Sequence, residues 1–266
     1  MGGRQQVMNI VVLVKQVPDT WSERTLRPAD NTLDRDAADA VINELDDYAI
    51  EEGLRQQEAH GGEVTIVSMG PEKAAEAIRK ALSMGADKAV HVSDEALRGS
   101  DGLVTSAVLA NVLQRIGFDL VILGSESTDA RMGTLAAMLA ERLGVPQLSF
   151  ASKVETDGSA ISIHRQADYG YDTVEAALPA VVSVVEKINE PRYPSFKGIM
   201  AAKKKPVETL TVADLGIDPA EAGLAASATE VVSFANRPPR AAGTIVTDDG
   251  DGGAKAAEFL ASRKFI

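Results

Sequence analysis

Over its first 150 residues the chain alternates short β-branched runs with longer stretches of helical spacing, and few architectures accept that alternation. The short runs are Asn9–Val14, Glu63–Ser68, Lys88–Val92 and Asp119–Gly124. Each is nearly continuous in apolar residues, as strands buried on both faces are. Between them, Ala37–Glu58 carries Val41, Leu45, Tyr48, Ala49 and Leu54, while Ala74, Ile78 and Leu82 recur four apart on one helical face. Two further helices fit Leu103–Ile116 and Thr134–Leu143. Pro71 suits a first helical position, and Gly85 and Gly144 suit the residue after a last turn. Strand–helix alternation of this kind forces right-handed crossovers. The expected fold is therefore α/β: a Rossmann-like, mostly parallel sheet with helices on both faces.

The pattern changes after Pro146. Four strand-like segments follow, Ser149–Glu155, Ala160–Gln166, Asp172–Ala177 and Ala180–Val185, with Asp157-Gly158 as the clearest hairpin turn. They are expected to extend the sheet as antiparallel pairs. The stretch NEPRYPSFKG from Asn189 has two prolines and a glycine, and reads as an exposed irregular loop. Residues 206–266 read as an extended C-terminal arm with Pro238-Pro239, a DDGDGG turn and a helix near Ala254–Lys264. An arm with so little core either lies on another surface or stays partly ordered.

Composition removes several function classes. With no cysteine there is no disulfide framework, thiolate metal site or cysteine nucleophile. Lys and Arg number 27 against 39 Asp and Glu, a net charge of −12, which disfavours nucleic-acid binding. No apolar stretch reaches the roughly 18–20 residues that span a bilayer. The opening apolar run is too short for a signal segment, so a cytoplasmic protein is expected. The three histidines, His60, His91 and His164, have no metal-ligand spacing. A phosphate loop, a serine nucleophile elbow and a GxGxxG fingerprint are all missing. Asp46–Asp47 and Glu51–Glu52 read as solvating charge on a polar helix face. No catalytic constellation assembles.

Two strand-to-helix junctions do carry chemical information, because helix N-termini at strand C-termini present unpaired N–H groups. The first is Met69-Gly70. The second runs from Gly124 to Thr134, where Gly124, Ser125, Ser127 and Gly133 permit close backbone approach to a phosphate. There Thr134 would cap a helix or donate to a phosphate, and Asp129 would hold a ribose hydroxyl. Ordinary helix capping selects the same residue types, so both readings stand at this point.

Residues 186–205, EKINEPRYPSFKGIMAAKKK, resemble the signature of the electron-transfer flavoprotein β subunit. VLVKQVPD, TLDR, NELDDYAIEE, SMGPEKAAEAIRKALSMGADKAVHV and LPAVVSV fall in the same family order, closest to its actinobacterial branch. The resemblance implies a heterodimer whose larger α subunit supplies most of the FAD site, and a β subunit holding a structural AMP. It places nucleotide contacts at Leu13, Asn43, Met69, Gly124, Asp129, Met132, Gly133 and Thr134, with a loop shorter than the mitochondrial pattern. It makes Tyr193–Met200 a recognition loop for acyl-CoA dehydrogenases, with Phe196 as anchor and Tyr193 and Ile199 in support. Lys203, Lys204 and Lys205 would steer an acidic partner or form a solvated turn. Where many members have an acidic residue that pairs with the α subunit, Gln166 stands here, so that latch is weak, absent or moved to Asp168. The implied division is a nucleotide-binding domain over 1–188, a recognition segment over 189–205 and an arm over 206–266 that packs on the α subunit. Electrons would pass from acyl-CoA dehydrogenases to a membrane quinone oxidoreductase, without substrate turnover by this chain. Two other readings stay open: an electron-bifurcating relative with a second FAD in the β site, and a nucleotide-binding signalling homodimer.

Overall fold

The computed structural model describes residues 7–240, 242–243 and 245–266. The opening residues, read above as too short for a signal segment, lie partly outside that range. The chain divides into two units, one ending at Val232 and one running from Ser233 to Ile266.

The first unit begins with β1 (Met8–Leu13), β2 (Gln16–Pro18), β3 (Ala40–Ile42) and α1 (Glu44–His60). Next come β4 (Gly62–Met69), α2 (Ala75–Met84), β5 (Lys88–Val92), α3 (Gly102–Ile116), β6 (Leu120–Gly124) and α4 (Leu135–Leu143). Then follow β7 (Gln147–Thr156), β8 (Ala160–Ala167), β9 (Gly170–Ala177) and β10 (Ala180–Val184). The unit closes with α5 (Phe196–Ala202), β11 (Val207–Leu210) and α6 (Gly223–Ala226). Nine strands form one sheet in the order β11-β5-β4-β1-β6-β10-β7-β8-β9. All neighbours are parallel except β7-β8 and β8-β9.

Register explains the two-sided burial. Ile10 stands beside Val64 and Leu120, and Val12 beside Ile66 and Ile122; all face α1 and α2. Alternate residues Val11, Leu13, Val67, Val121 and Leu123 face α3 and α4 on the other side. Successive side chains of a strand point to opposite faces, so continuous apolar runs suit this sheet. Gly53 lets α1 approach closely, since a Cβ there would lie 2.7 Å from Val12 Cγ2.

Four expectations need correction. Helix α1 starts at Glu44 rather than Ala37, because Ala40–Ile42 pairs antiparallel with Gln16–Pro18 and Asn43 adopts a non-helical φ, ψ of −58°, 126°. Strand β10 is no antiparallel extension: it lies between β6 and β7, parallel to both, and every residue of AVVSV is buried. Within the expected loop, Phe196–Ala202 is helical, capped by Ser195 Oγ accepting from Gly198 N at 3.0 Å. Finally, residues 206–232 are not an arm. Strand β11 extends the sheet beside β5, and Leu210, Val212 and Leu215 enter the core.

The second unit has α7 (Gly252–Ser262), begun by an Asp248 carboxylate that accepts from the N–H groups of Gly250 and Gly252, both at 2.8 Å. Its Phe265 and Ile266 are largely exposed, and Phe259 and Leu260 partly so. Among the described residues, no helix is long and apolar enough to cross a membrane.

Candidate functional site

The sheet order sends β4 to one side of β1 and β6 to the other, so the loops leaving β1, β4 and β6 border a switch point, where open α/β sheets bind ligands. Side chains tie these loops together. Lys15, two residues after β1, donates from Nζ to Asp129 Oδ1 at 2.7 Å and to Ser127 Oγ at 3.2 Å. Arg35 reaches Asp129 Oδ2 at 3.2 Å and the Gln16 carbonyl at 3.3 Å. Gln16 Nε2 in turn donates to the Lys73 carbonyl at 2.9 Å.

This network involves three candidates. Asp129 has a side chain only 2% exposed. Burial opposes its charge, but the Lys15 ammonium, two hydrogen bonds and Arg35 outweigh that and hold the carboxyl below its ordinary range. Asp129 thus ties the loops after β1 and β6 together. Asn43 donates to Asp46 Oδ1 at 2.8 Å and the Glu126 carbonyl at 3.0 Å, and accepts from Thr128 N at 3.0 Å. Its amide shapes the loop after β6. At Gly124 a Cβ would meet Asp46 Oδ1 at 2.7 Å, so the missing side chain lets the start of α1 pack against this strand end. Gly70 is likewise engaged, its N–H bonded to the Val92 carbonyl at 3.0 Å.

The remaining candidates stay open. Leu13 and Met69 end neighbouring strands on the α3/α4 face. Met132 is 40% exposed, and Gly133 takes a φ of +66°. Thr134 begins α4 without a side-chain cap. Among the described residues, the N–H groups of Met132, Gly133 and Thr134 have no acceptor. Together with the first-turn N–H groups of α4 they form a donor cradle at a positive helix end. Ser68 Oγ and Thr128 Oγ1 are buried without a partner. A donor set of this kind fits a phosphorylated ligand.

Beneath the crevice lies Asp46, which sequence reading assigned to solvent. It is 5% exposed, and burial raises its carboxyl to about 7 despite hydrogen bonds from Asn43 Nδ2 and Lys15 N. Glu51 and Glu52 are buried too, again contrary to expectation. Arg192 explains Glu51: its guanidinium donates to both Glu51 oxygens, at 2.7 and 2.9 Å, and to Glu58 Oε1 at 2.6 Å. Asn189 Nδ2 adds a bond to the Tyr48 carbonyl at 3.1 Å. The segment before α5 is therefore clamped along α1.

What this clamp presents is apolar. Tyr193 is 95% exposed, Phe196 81% and Ile199 46%. Lys203 and Lys204 face solvent, but Lys205 does not serve the surface. Its Nζ donates to the carbonyls of Leu82, Gly85 and Ala86 at 3.0, 3.0 and 2.6 Å, capping the C-terminus of α2.

The family description "Electron transfer flavoprotein domain" matches residues 30–215. An "Electron transfer flavoprotein subunit beta" of Mycobacterium tuberculosis (strain ATCC 25618 / H37Rv) is 53% identical over 264 residues, covering 97% of this chain and 99% of that protein. The chain belongs to the electron transfer flavoprotein family, as a β subunit. The Mycobacterium leprae counterpart is 52% identical over the same length. The "Caffeyl-CoA reductase-Etf complex subunit CarD" of Acetobacterium woodii is 35% identical over 242 residues, covering 90% of this chain and 92% of that protein.

Gln166 lies on β8, its Oε1 buried without a partner. Asp168 lies exposed in the turn between β8 and β9. Sequence reading passed over Lys15, Arg35 and Arg192. One cue was available: Lys15 follows two residues after the doubly buried β1, at the carboxyl end where open α/β sheets bind ligands.

Proposed function

We propose that this β subunit pairs with a larger α subunit that holds most of a shared FAD, and that it keeps an AMP in the crevice beside α4. FAD supplies the redox chemistry; this chain supplies shape and adhesion. On this reading the heterodimer works in the cytoplasm, taking electrons from acyl-CoA dehydrogenases and giving them to a membrane quinone oxidoreductase, with no substrate turnover of its own. Met132, Gly133 and Thr134 hold the nucleotide phosphate by backbone N–H groups, and Leu13 and Met69 border its ring. Asn43, Gly124 and Asp129 act one layer below, keeping that loop in place.

The observation that carries the docking role is Phe196. Exposed apolar side chains grouped on one short segment, as Tyr193, Phe196, Ile199 and Met200 are, mark an interaction surface. Here the ring stands 81% exposed on a segment otherwise fixed by Arg192, Ser195 and Lys205. Brief electron-transfer encounters need a small anchor and not a wide interface. Phe196→Ala is expected to slow reduction of the heterodimer by a dehydrogenase about tenfold, as loss of one interface anchor does. Flavin content and heterodimer yield should not change. An unaltered reduction rate would refute the anchor.

A second reading keeps the family and places another FAD in the β crevice, where the same donor cradle would hold its phosphates. Mass spectrometry of nucleotides released from the purified heterodimer separates the two: one FAD with one AMP, or two FAD.

A further inference from the structure

Beside Phe196 the surface turns inward. A groove of about 300 Å³ opens between α2 and α5, floored by Pro194, Ile199 and Ala202. Its rim is cationic: Arg79 and Lys80 from α2, Lys203 from the end of α5. Lys197 and Lys204 are exposed on the same short segment. Lys80 is spent on Asp47, at 2.7 Å. Among the described residues, Arg79, Lys197, Lys203 and Lys204 join no ion pair. Two unpaired cations, Arg79 and Lys203, line this apolar groove, and two more stand on the segment that forms one of its walls, in a chain whose net charge is −12.

The groove is also rigidly built. A Cβ on Gly198 would collide with the Ser83 carbonyl, so α5 lies directly on α2. Lys205 fastens the following turn to the carbonyls that end α2. A preformed recess costs little ordering on binding.

We infer that this groove is a second docking element, a socket for an apolar side chain flanked by carboxylates on the redox partner that Phe196 engages. The inference rests on the docking reading above and adds the partner's chemistry: an acidic amphipathic segment. Two features select that occupant. The apolar floor excludes a fully hydrated partner, and the unpaired rim rewards negative charge through steering and register. The socket adjoins Phe196, so knob and socket meet one partner surface at once.

The test uses the intact heterodimer reduced by an acyl-CoA dehydrogenase over a range of dehydrogenase and salt concentrations. The double reversal Arg79→Glu with Lys203→Glu lies on the surface and should fold normally. It is expected to raise the half-saturating dehydrogenase concentration about tenfold at low salt and to flatten the salt dependence, because rim charges act mainly on association. Maximal rate and flavin content should stay the same. Ile199→Glu, which plugs the floor, should weaken docking at every salt concentration. If Phe196→Ala slows reduction but neither groove change shifts half-saturation, the socket is wrong and the docking reading survives. If Phe196→Ala has no effect, the docking reading itself fails. Should the double reversal abolish flotation with phosphatidylserine vesicles while dehydrogenase kinetics stay unchanged, the groove serves a membrane and the inference is overturned.

Discussion

Asp46 gives the crevice a titratable floor. Its carboxyl accepts from Lys15 N at 2.7 Å and from Asn43 Nδ2 at 2.8 Å, and burial still lifts it to about 7. The sign follows from linkage. Below the ordinary carboxylate range, near pH 4, the group is neutral folded and unfolded. Between about pH 4 and 7 the folded chain keeps a proton that the unfolded chain has released, so this residue's contribution falls as pH rises. Asp46→Asn cannot ionise. Its stability relative to the parent is expected to improve from pH 4 to 7, by an amount on the order of a few kcal/mol, and then level off. Urea midpoints of both proteins across that range check this, and a flat difference would contradict it. Acidic pairs on a helix usually face water, which is why sequence reading placed Asp46 and Glu51 there. Each is buried by a partner distant in the chain, Lys15 for one and Arg192 for the other. No local pattern announces either pairing.

Helix α1 joins the two functional ends. Its first turn meets the loop after β6 through Asn43, and its later turns hold Arg192 through Glu51 and Glu58. Its approach to the sheet depends on Gly53. Gly53→Val should cost about 1–3 kcal/mol of stability by overpacking against Val12, measured by thermal unfolding, even though valine favours helix slightly over glycine. A neutral or stabilising result would show that α1 can move away from β1. The start of this helix was misread because Val41 lies at helical spacing from Leu45, while the competing antiparallel pairing with Gln16–Pro18 is a tertiary event. Strand β10 misled for a related reason: it follows a meander in sequence but inserts between β6 and β7 in space. Helix α5 was hidden by the prolines and glycine around it, although Ser195 three residues before Gly198 supplied an N-cap.

At the scale of the whole molecule, the two units divide the work of self-burial unequally. The unit ending at Val232 has two cores, one on each face of its sheet, whereas among the described residues of Ser233–Ile266 no hydrophobic side chain is buried. Deleting residues 233–266 should leave the melting temperature of the first unit within a few degrees, since no core residue is removed. The same deletion should abolish co-purification with an α subunit, on which the family resemblance implies that this arm packs. Retained co-purification would count against it. From sequence alone, the α/β class, the parallel strands with their crossover helices, and the family were all legible, because they rest on local periodicity and on motif strings. Tertiary structure alone decided that Asn43 and Asp129 are tied to distant loops, where β10 and β11 insert, and that Lys205 turns inward. Those outcomes depend on charges and carbonyls brought together across long stretches of chain, where desolvation and pairing energies exist only once the fold has formed.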